Sequence, residues 1–482
     1  MPGSDDLDDL SKKNAPKTPP PVIPTGPYGP IVFIDGKQIT ISQPAMVHDF
    51  CATCDVRYDT ERGHHVQFSE VSGEWEKKNP EQAMWAVTAY VMQLSVRLEL
   101  PELVVKCKPS FLNNILKLVE GYAPLPKPSN PKLIPVENGV LDLSSGSIEF
   151  RRIRKDDYLT FKLKVPYVPG AKCPRFLSEL IRPVLDGDDE QLLQYDFGRQ
   201  LIPGNEAQTM SLFMGTAGSG KSILLLIHEG ILGQECVAHL RSDKLNGNFE
   251  THAFQGKSIL VGKDVNPDYL LKSGADMIKS LTGGDWFETE QKYGGKHGMW
   301  GTFYVNVTAN SRLLVGLNDD AGAWRRRLVC YNFSRESPAK RIPKFHDVLL
   351  REEGPGILNW LLEGCLAHQA ELAEHGVLRL TVAQQKRVDD LMMESDPERS
   401  FAEHCIKRGP GNLSSEEILE AYHVFAQERH WKVPSEQTAM TKLNRVIPMM
   451  FGGAKSTHVD REGRGLRGFK GVVFKHEEPA AA

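Results

Sequence analysis

Gly215, Gly220, Lys221 and Ser222 fall in the run SLFMGTAGSGKSILLLI, from Ser211 to Ile227. An apolar run comes first, then a glycine, four residues, and Gly-Lys-Ser opening a second apolar run. Glycines let successive backbone N–H groups curl around phosphate oxygens, a lysine reaches the terminal phosphates, and a hydroxyl takes a place on Mg²⁺. The spacing predicts a nucleotide-binding P-loop made of Gly215, Thr216, Ala217, Gly218, Ser219, Gly220, Lys221 and Ser222, with ATP or GTP as ligand. A helix opening at Lys221 adds its positive dipole end.

The residues that would act on the nucleotide follow downstream. GKSILVGKDV predicts the next strand, Ser258 to Val261, ending near Asp264, and an acid at the tip of the strand beside the P-loop can hold Mg²⁺ through water or polarise the attacking water. A second β-run, Thr302 to Val307, leads to Asn310, whose amide can orient that water. Arg325, Arg326 and Arg327 then precede another strand. A guanidinium offered to a neighbour's γ-phosphate is how ring ATPases couple hydrolysis to subunit motion, although an arginine triplet taken alone is more often a solvated face.

Alternating strands and helices from 207 to 345 predict a parallel sheet flanked by helices. Around this core we read a disordered acidic and proline-rich tail (1–28), a mixed α+β domain (29–168), a helical collar (169–206), a helical connector (346–394), a winged-helix-like domain (395–476) and a short tail (477–482). Within the N-terminal domain a helix is expected from Pro80 to about Val96, and a β-hairpin from Glu137 to Arg152 turning at Ser144, Ser145 and Gly146. That domain has no Asp-x-Asp pair followed by a histidine, which argues against a built-in primase or polymerase centre. The connector reads as one helix from Gly356 to Leu372 and another ending near Glu394. In the C-terminal domain three helical segments precede a strand, a glycine-rich turn and a strand, with Ser414 and Ser435 where N-caps belong.

The net charge of −4 gives no global pull toward nucleic acid, so such binding must come from local patches. Lys455, Arg461, Arg464, Arg467, Lys470 and Lys475 face only Asp460 and Glu462, a basic excess suited to duplex phosphates. Eight scattered cysteines suit reduced thiols; Cys51 and Cys54 form a CxxC, read as strand-edge cysteines because His64 and His65 lack zinc-ligand spacing. No apolar run approaches the ~20 residues of a membrane span, and a cytoplasmic location is expected.

P-loop, acid, TGGD, Asn and WRR in this order resemble the superfamily 3 helicases, most closely the phage and plasmid primase-helicase group related to poxvirus nucleoside triphosphatase. NGVLDL, VPYVPGAKCPRF and QYDFGRQLIPG look like that family's domain just upstream of the helicase. The resemblance implies an AAA+-like ATPase core assembled in a ring, a hexamer in the family's usual form, moving 3′ to 5′ on DNA. Lys221 and Ser222 would meet phosphate and Mg²⁺, Asp264 would be the Walker B acid, Asn310 the sensor, and Arg325 or Arg326 the finger. Members often carry two adjacent acids in the second motif, where this chain has Lys263 then Asp264. The family also grips DNA with a β-hairpin before the sensor strand; KYGGKHG places Lys292, Lys296 and His297 in such a turn. The alternatives are an ATP-gated origin initiator that does not unwind DNA, and a small-molecule kinase or virion ATPase. A separate primase is a possible partner.

Overall fold

The computed structural model describes residues 25–475 except 36–37, 129, 246–249, 291–295, 318–320, 334–341, 430 and 432–433. Most of the expected tail over 1–28, and all of that over 477–482, lies outside these residues; Thr25–Gly26 pairs with Gly29–Pro30. The chain divides into two compact units, 1–131 with 151–162, and 132–150 with 163–482.

The first unit packs helices Gln43–Cys54, Pro80–Arg97 and Pro109–Tyr122 with short antiparallel strands around Phe50, Val87, Leu94, Ile115 and Val119. Asn79 and Gln82 form a reciprocal capping box that starts the second helix at the expected place. Cys51 and Cys54 lie in the first helix and not at a strand edge. Their spacing from Val47 and Phe50 puts them on its apolar face, and burial pushes the Cys51 thiol up to about 12.

In the second unit the turn expected at Ser144 to Gly146 is present, with Gly146 at φ 78°. A strand missing from the sequence reading, Leu133–Val136, pairs with Gly139–Asp142. The centre of the unit is a five-stranded parallel sheet. In chain order its strands are β1 (Met210–Gly215), β2 (Val237–His239), β3 (Ile259–Val265), β6 (Tyr304–Ala309) and β7 (Leu328–Phe333); β4 (Trp286–Glu290) and β5 (Lys296–Trp300) form a separate antiparallel pair. The order across the sheet is β2-β3-β6-β1-β7. This corrects one expectation: β3, which carries Asp264, is not beside β1, the strand that leads into the glycine loop, because β6 runs between them. Every residue of β6 is buried, as strands covered on both faces require.

The helices are α1 (Gly187–Arg199), α2 (Lys221–Leu232), α3 (Ala275–Gly283), α4 (Ala321–Arg325), α5 (Phe345–His375) and α6 (Val382–Ser395). The segment QYDFGRQLIPG earns its composition here. A Cβ on Gly198 would meet Cys365 N and Leu361 O at 2.4 Å, so α1 and α5 touch backbone to backbone. Asp196, fully buried, accepts from Arg199 Nη2 at 2.7 Å and from Tyr331 at 3.2 Å, while Arg199 also reaches Asn205 and Thr209. Buried charge is tolerable when paired and hydrogen-bonded in this way, and this network ties α1 to the sheet.

α5 starts eleven residues before the expected Gly356. Pro355 and its neighbouring glycines look like breakers in sequence, yet Gly356 lies where a Cβ would meet Lys172 O at 2.1 Å, and the Glu353 carboxylate accepts the N–H groups of Arg175 and Phe176 at 3.0 and 2.8 Å. Tertiary packing overrides the local signal.

The C-terminal part runs α7 (Pro397–Cys405), β8 (Ile406–Ser414), α8 (Ser415–Glu428), α9 (Glu436–Phe451), β9 (Ala454–Arg461) and β10 (Arg464–Phe474), with sheet order β8-β10-β9. β8 replaces the end of the expected first helical segment: Ile406 to Arg408 are extended. Gly409-Pro410-Gly411 disguises the strand, since it forms an irregularity where the pairing with β10 shifts between Arg408 and Asn412. Ser414 and Ser435 cap α8 and α9, as the sequence predicts.

Two buried histidines make the fold acid-sensitive. His228 of α2 stacks on Phe197 with centroids 4.1 Å apart and meets Gln200 Oε1 at 3.1 Å. Burial holds His228 down at about 3 and His368 of α5 at about 4. An unfolded chain takes these protons near 6.5, so between pH 6.5 and 4 it binds more protons than the folded one. Stability is full above that window and falls on acidification by up to ~1.4 kcal/mol per histidine per pH unit. Denaturant melts across pH 4–7 should show this slope, and His228→Gln should flatten it by about one proton. An unchanged slope in the variant would contradict the assignment.

Candidate nucleotide and nucleic-acid sites

The loop between β1 and α2 is shaped by its glycines. Gly215 has φ 140°, and a Cβ there would stand 2.2 Å from Phe333 O of β7. Gly218 and Gly220 have φ 83° and 93°. Thr216 N donates to Phe333 O at 3.1 Å, and Thr216, Ala217 and Gly218 are exposed while Ser219 is buried. α2 begins at Lys221 as expected, with Gly220 before it, so the unpaired N–H groups of its first turn point into the loop. A glycine loop running into a helix N-terminus is the kind of element that can bind phosphate oxygens.

Lys221 is 3% exposed. Its Nζ donates to Thr216 O at 2.7 Å, Gly215 O at 3.0 Å and Ser219 Oγ at 3.2 Å. Burial lowers its pKa, and the Asp264 carboxylate acts against that shift. Ser222, one residue on, is half-buried in the first turn.

Asp264 and Asn310 share the edge of the sheet that carries this loop. Ala309 of β6 pairs with Met214 on one side and Val265 on the other, so both residues and the loop lie at the carboxyl ends of adjacent strands. Asp264 is exposed and takes a left-handed conformation, φ 48°, where the pairing slips between Gly262 and Val265. Its N–H donates to Thr308 Oγ1 at 2.8 Å. Asn310 is exposed just past the end of β6. Lys263, next to Asp264, binds the buried Glu229 of α2 at 2.7 Å. Sequence reasoning missed Glu229 and Thr308; a hydroxyl near the end of the fully buried strand YVNVTA was the available signal for the second.

The three arginines separate by environment. Arg325 Nη2 and Nε bind Asp389 of α6 at 2.5 and 2.8 Å. Arg327 is 5% exposed and donates to Ala323 O at 2.9 Å. Arg326 is exposed and has no ion-pair partner among the described residues.

TGGD proves to be the joint between α3 and the hairpin. Thr282 closes α3 through Ile278 O, a Cβ on Gly283 would meet Arg327 Nη2 at 2.8 Å, Gly284 has φ 82°, and Gly301 N donates to Asp285 O at 2.8 Å. β4 and β5 then pair from Trp286 with Trp300 to Glu290 with Lys296. Lys292 lies outside the described residues. Lys296 and His297 open β5 and pair with Glu290 and Thr289, so they stand in a strand and not in the turn itself.

In the C-terminal tail Arg461 is bound to Glu417 at 2.6 Å and Lys475 to Glu403 O. Arg464, Arg467 and Lys470 are exposed without ion-pair partners among the described residues. Lys455 and Arg467 line a cavity of about 520 Å³ with Asn444 of α9.

Among the described residues no helix is long and apolar enough to cross a membrane. No curated protein matches the chain. Among solved structures it is similar to the A form apo structure of the NrS-1 C-terminal region, at 12% identity and TM-score 0.47, over 88% of this chain and 98% of that one. A second apo structure of the NrS-1 C-terminal region aligns at 11% identity and TM-score 0.45, over 89% and 100% of the two chains. Residues 213–327, which hold the loop, Asp264, the hairpin, Asn310 and the arginines, match a family of unknown function, DUF5906. Residues 45–182 match the family described as D5 N terminal like.

Proposed function

We propose that the chain is an ATP-driven, ring-forming DNA helicase that serves the replication of a phage, prophage or plasmid in its host's cytoplasm. The observation that carries this reading is the common edge of β3, β6 and β1, where Asp264, Asn310 and the Gly215–Gly220 loop with Lys221 lie together. The match of residues 45–182 to the D5 N terminal like family supports the replication context, as does the order of motifs inside residues 213–327.

Bound MgATP supplies the phosphoanhydride whose hydrolysis drives movement. The loop N–H groups and Lys221 bind phosphate oxygens, Ser222 and Asp264 hold Mg²⁺, and Asn310 orients the attacking water. Arg326 acts on the nucleotide of the next subunit, which requires assembly into a ring, taken here as a hexamer. The hairpin, with Lys292, Lys296 and His297, tracks one strand in the channel with 3′ to 5′ polarity. The winged-helix-like part, with its helix-strand-helix-helix-strand-strand order and its exposed Arg464, Arg467 and Lys470, holds duplex DNA or a protein partner. Those exposed cations also favour the second reading, an origin-binding initiator that uses ATP only to set its assembly. Steady-state ATPase with and without long single-stranded DNA separates the two: strand-stimulated turnover supports the helicase, and turnover indifferent to the strand supports the initiator.

A further inference from the structure

The hairpin carries an aromatic pair that the sequence reading did not use. Trp286 and Trp300 are directly opposite each other at its base, with ring centroids 5.2 Å apart and planes at 62°. They are 56% and 61% exposed. The alternation of the two strands explains where they stand: Phe287 and Met299 pack against the core of the sheet and Thr289 is buried, so Trp286, Glu288, Gly298 and Trp300 occupy the other face. A Cβ at position 298 would lie 1.8 Å from Trp286 Cζ2. The indole therefore lies across the β5 backbone, fixed by a glycine that leaves room for it.

We propose that Trp286 and Trp300 form a platform on which an unpaired base of single-stranded DNA stacks, an inference that rests on the DNA-tracking role given above to the hairpin. Two indoles kept more than half exposed leave apolar π-surface in water, which burial against another ring would relieve. The charges of the hairpin select the occupant. Glu288 shares the outward face with the tryptophans, and Asp285 adjoins Trp286. Acids repel the sugar-phosphate backbone at this end but leave an uncharged base face unaffected. The phosphates are then kept off this face and a base lies on the indoles, a sequence-tolerant contact because every base has a π-face.

The test is binding of fluorescein-labelled oligo(dT) by anisotropy, using the full chain. The paired variant Trp286→Leu with Trp300→Leu keeps apolar bulk but removes the ring faces, and should bind about ten-fold more weakly or worse. Trp286→Phe with Trp300→Phe should stay within about three-fold of the native chain, because phenyl rings still stack. Trp300→Leu alone, which leaves Trp286 seated on Gly298, should show most of the loss and guards against a folding defect in the pair. ATPase without DNA and the elution volume should not change. Native-like oligo(dT) binding by the Leu variants overturns the platform while leaving the helicase reading intact; a shift in elution volume with unchanged binding assigns the tryptophans to a subunit contact and overturns it too. If the native chain binds no oligo(dT), the helicase reading fails and the platform with it.

Discussion

Lys221→Ala is expected to lower ATP turnover by ~10²–10³-fold, the usual loss when one positioned cationic or N–H donor is removed from the charge developing in a transition state. Two consequences of the geometry sharpen the expectation. The lysine is buried under the loop and its three donors are all engaged, by Gly215 O, Thr216 O and Ser219 Oγ. Alanine therefore strands two carbonyls and a hydroxyl in the loop, and nucleotide affinity should fall along with turnover. Steady-state hydrolysis and binding of a fluorescent ATP analogue report both. Native turnover in this variant would remove the loop from the catalytic account.

Arg326→Ala is expected to reduce turnover by ~10³-fold or more while leaving nucleotide affinity nearly native, since a guanidinium supplied from a neighbouring subunit acts on the transition state. Arg325→Ala should have the smaller effect, because that side chain is already committed to Asp389 within its own chain. Arg327 is a packing residue against Gly283, and its replacement should appear in stability. Mixing inactive Lys221→Ala and Arg326→Ala chains tests the shared site, because a mixed ring contains some interfaces with an intact lysine and an intact arginine. Recovery of hydrolysis on mixing supports sharing. Full turnover by Arg326→Ala, or recovery with no assembly, contradicts it.

Much of this molecule is legible in its sequence wherever a local signal and the tertiary environment agree. The helix after the glycine loop starts at Lys221 as expected, Asn79 and Ser414 begin their helices with reciprocal caps, and the β-hairpin expected before β6 is present as β4 and β5. What escaped depends on neighbours distant in the chain. Pro355 reads as a breaker, but contacts of Gly356 and Glu353 with the 172–176 segment carry α5 through it. The Gly-Pro-Gly of β8 reads as a loop because its ladder partner far along the chain, β10, is invisible locally.

The site shows the same division. Residue types at the sheet edge follow from motif spacing, whereas strand order, which sets Asp264 two strands from the loop, follows from crossover connections that spacing does not encode. Likewise the triplet Arg325–Arg327 is uniform in sequence and threefold different in structure, because Asp389 and Gly283 reach it from elsewhere.

The most direct test of the central claim is unwinding of a forked or tailed DNA duplex by the purified full chain with ATP and Mg²⁺. The account predicts strand separation from a 3′-tailed duplex, none from a 5′-tailed one, and none with Lys221→Ala. An intact duplex in every case, with ATP hydrolysis that ignores single strands, would contradict it.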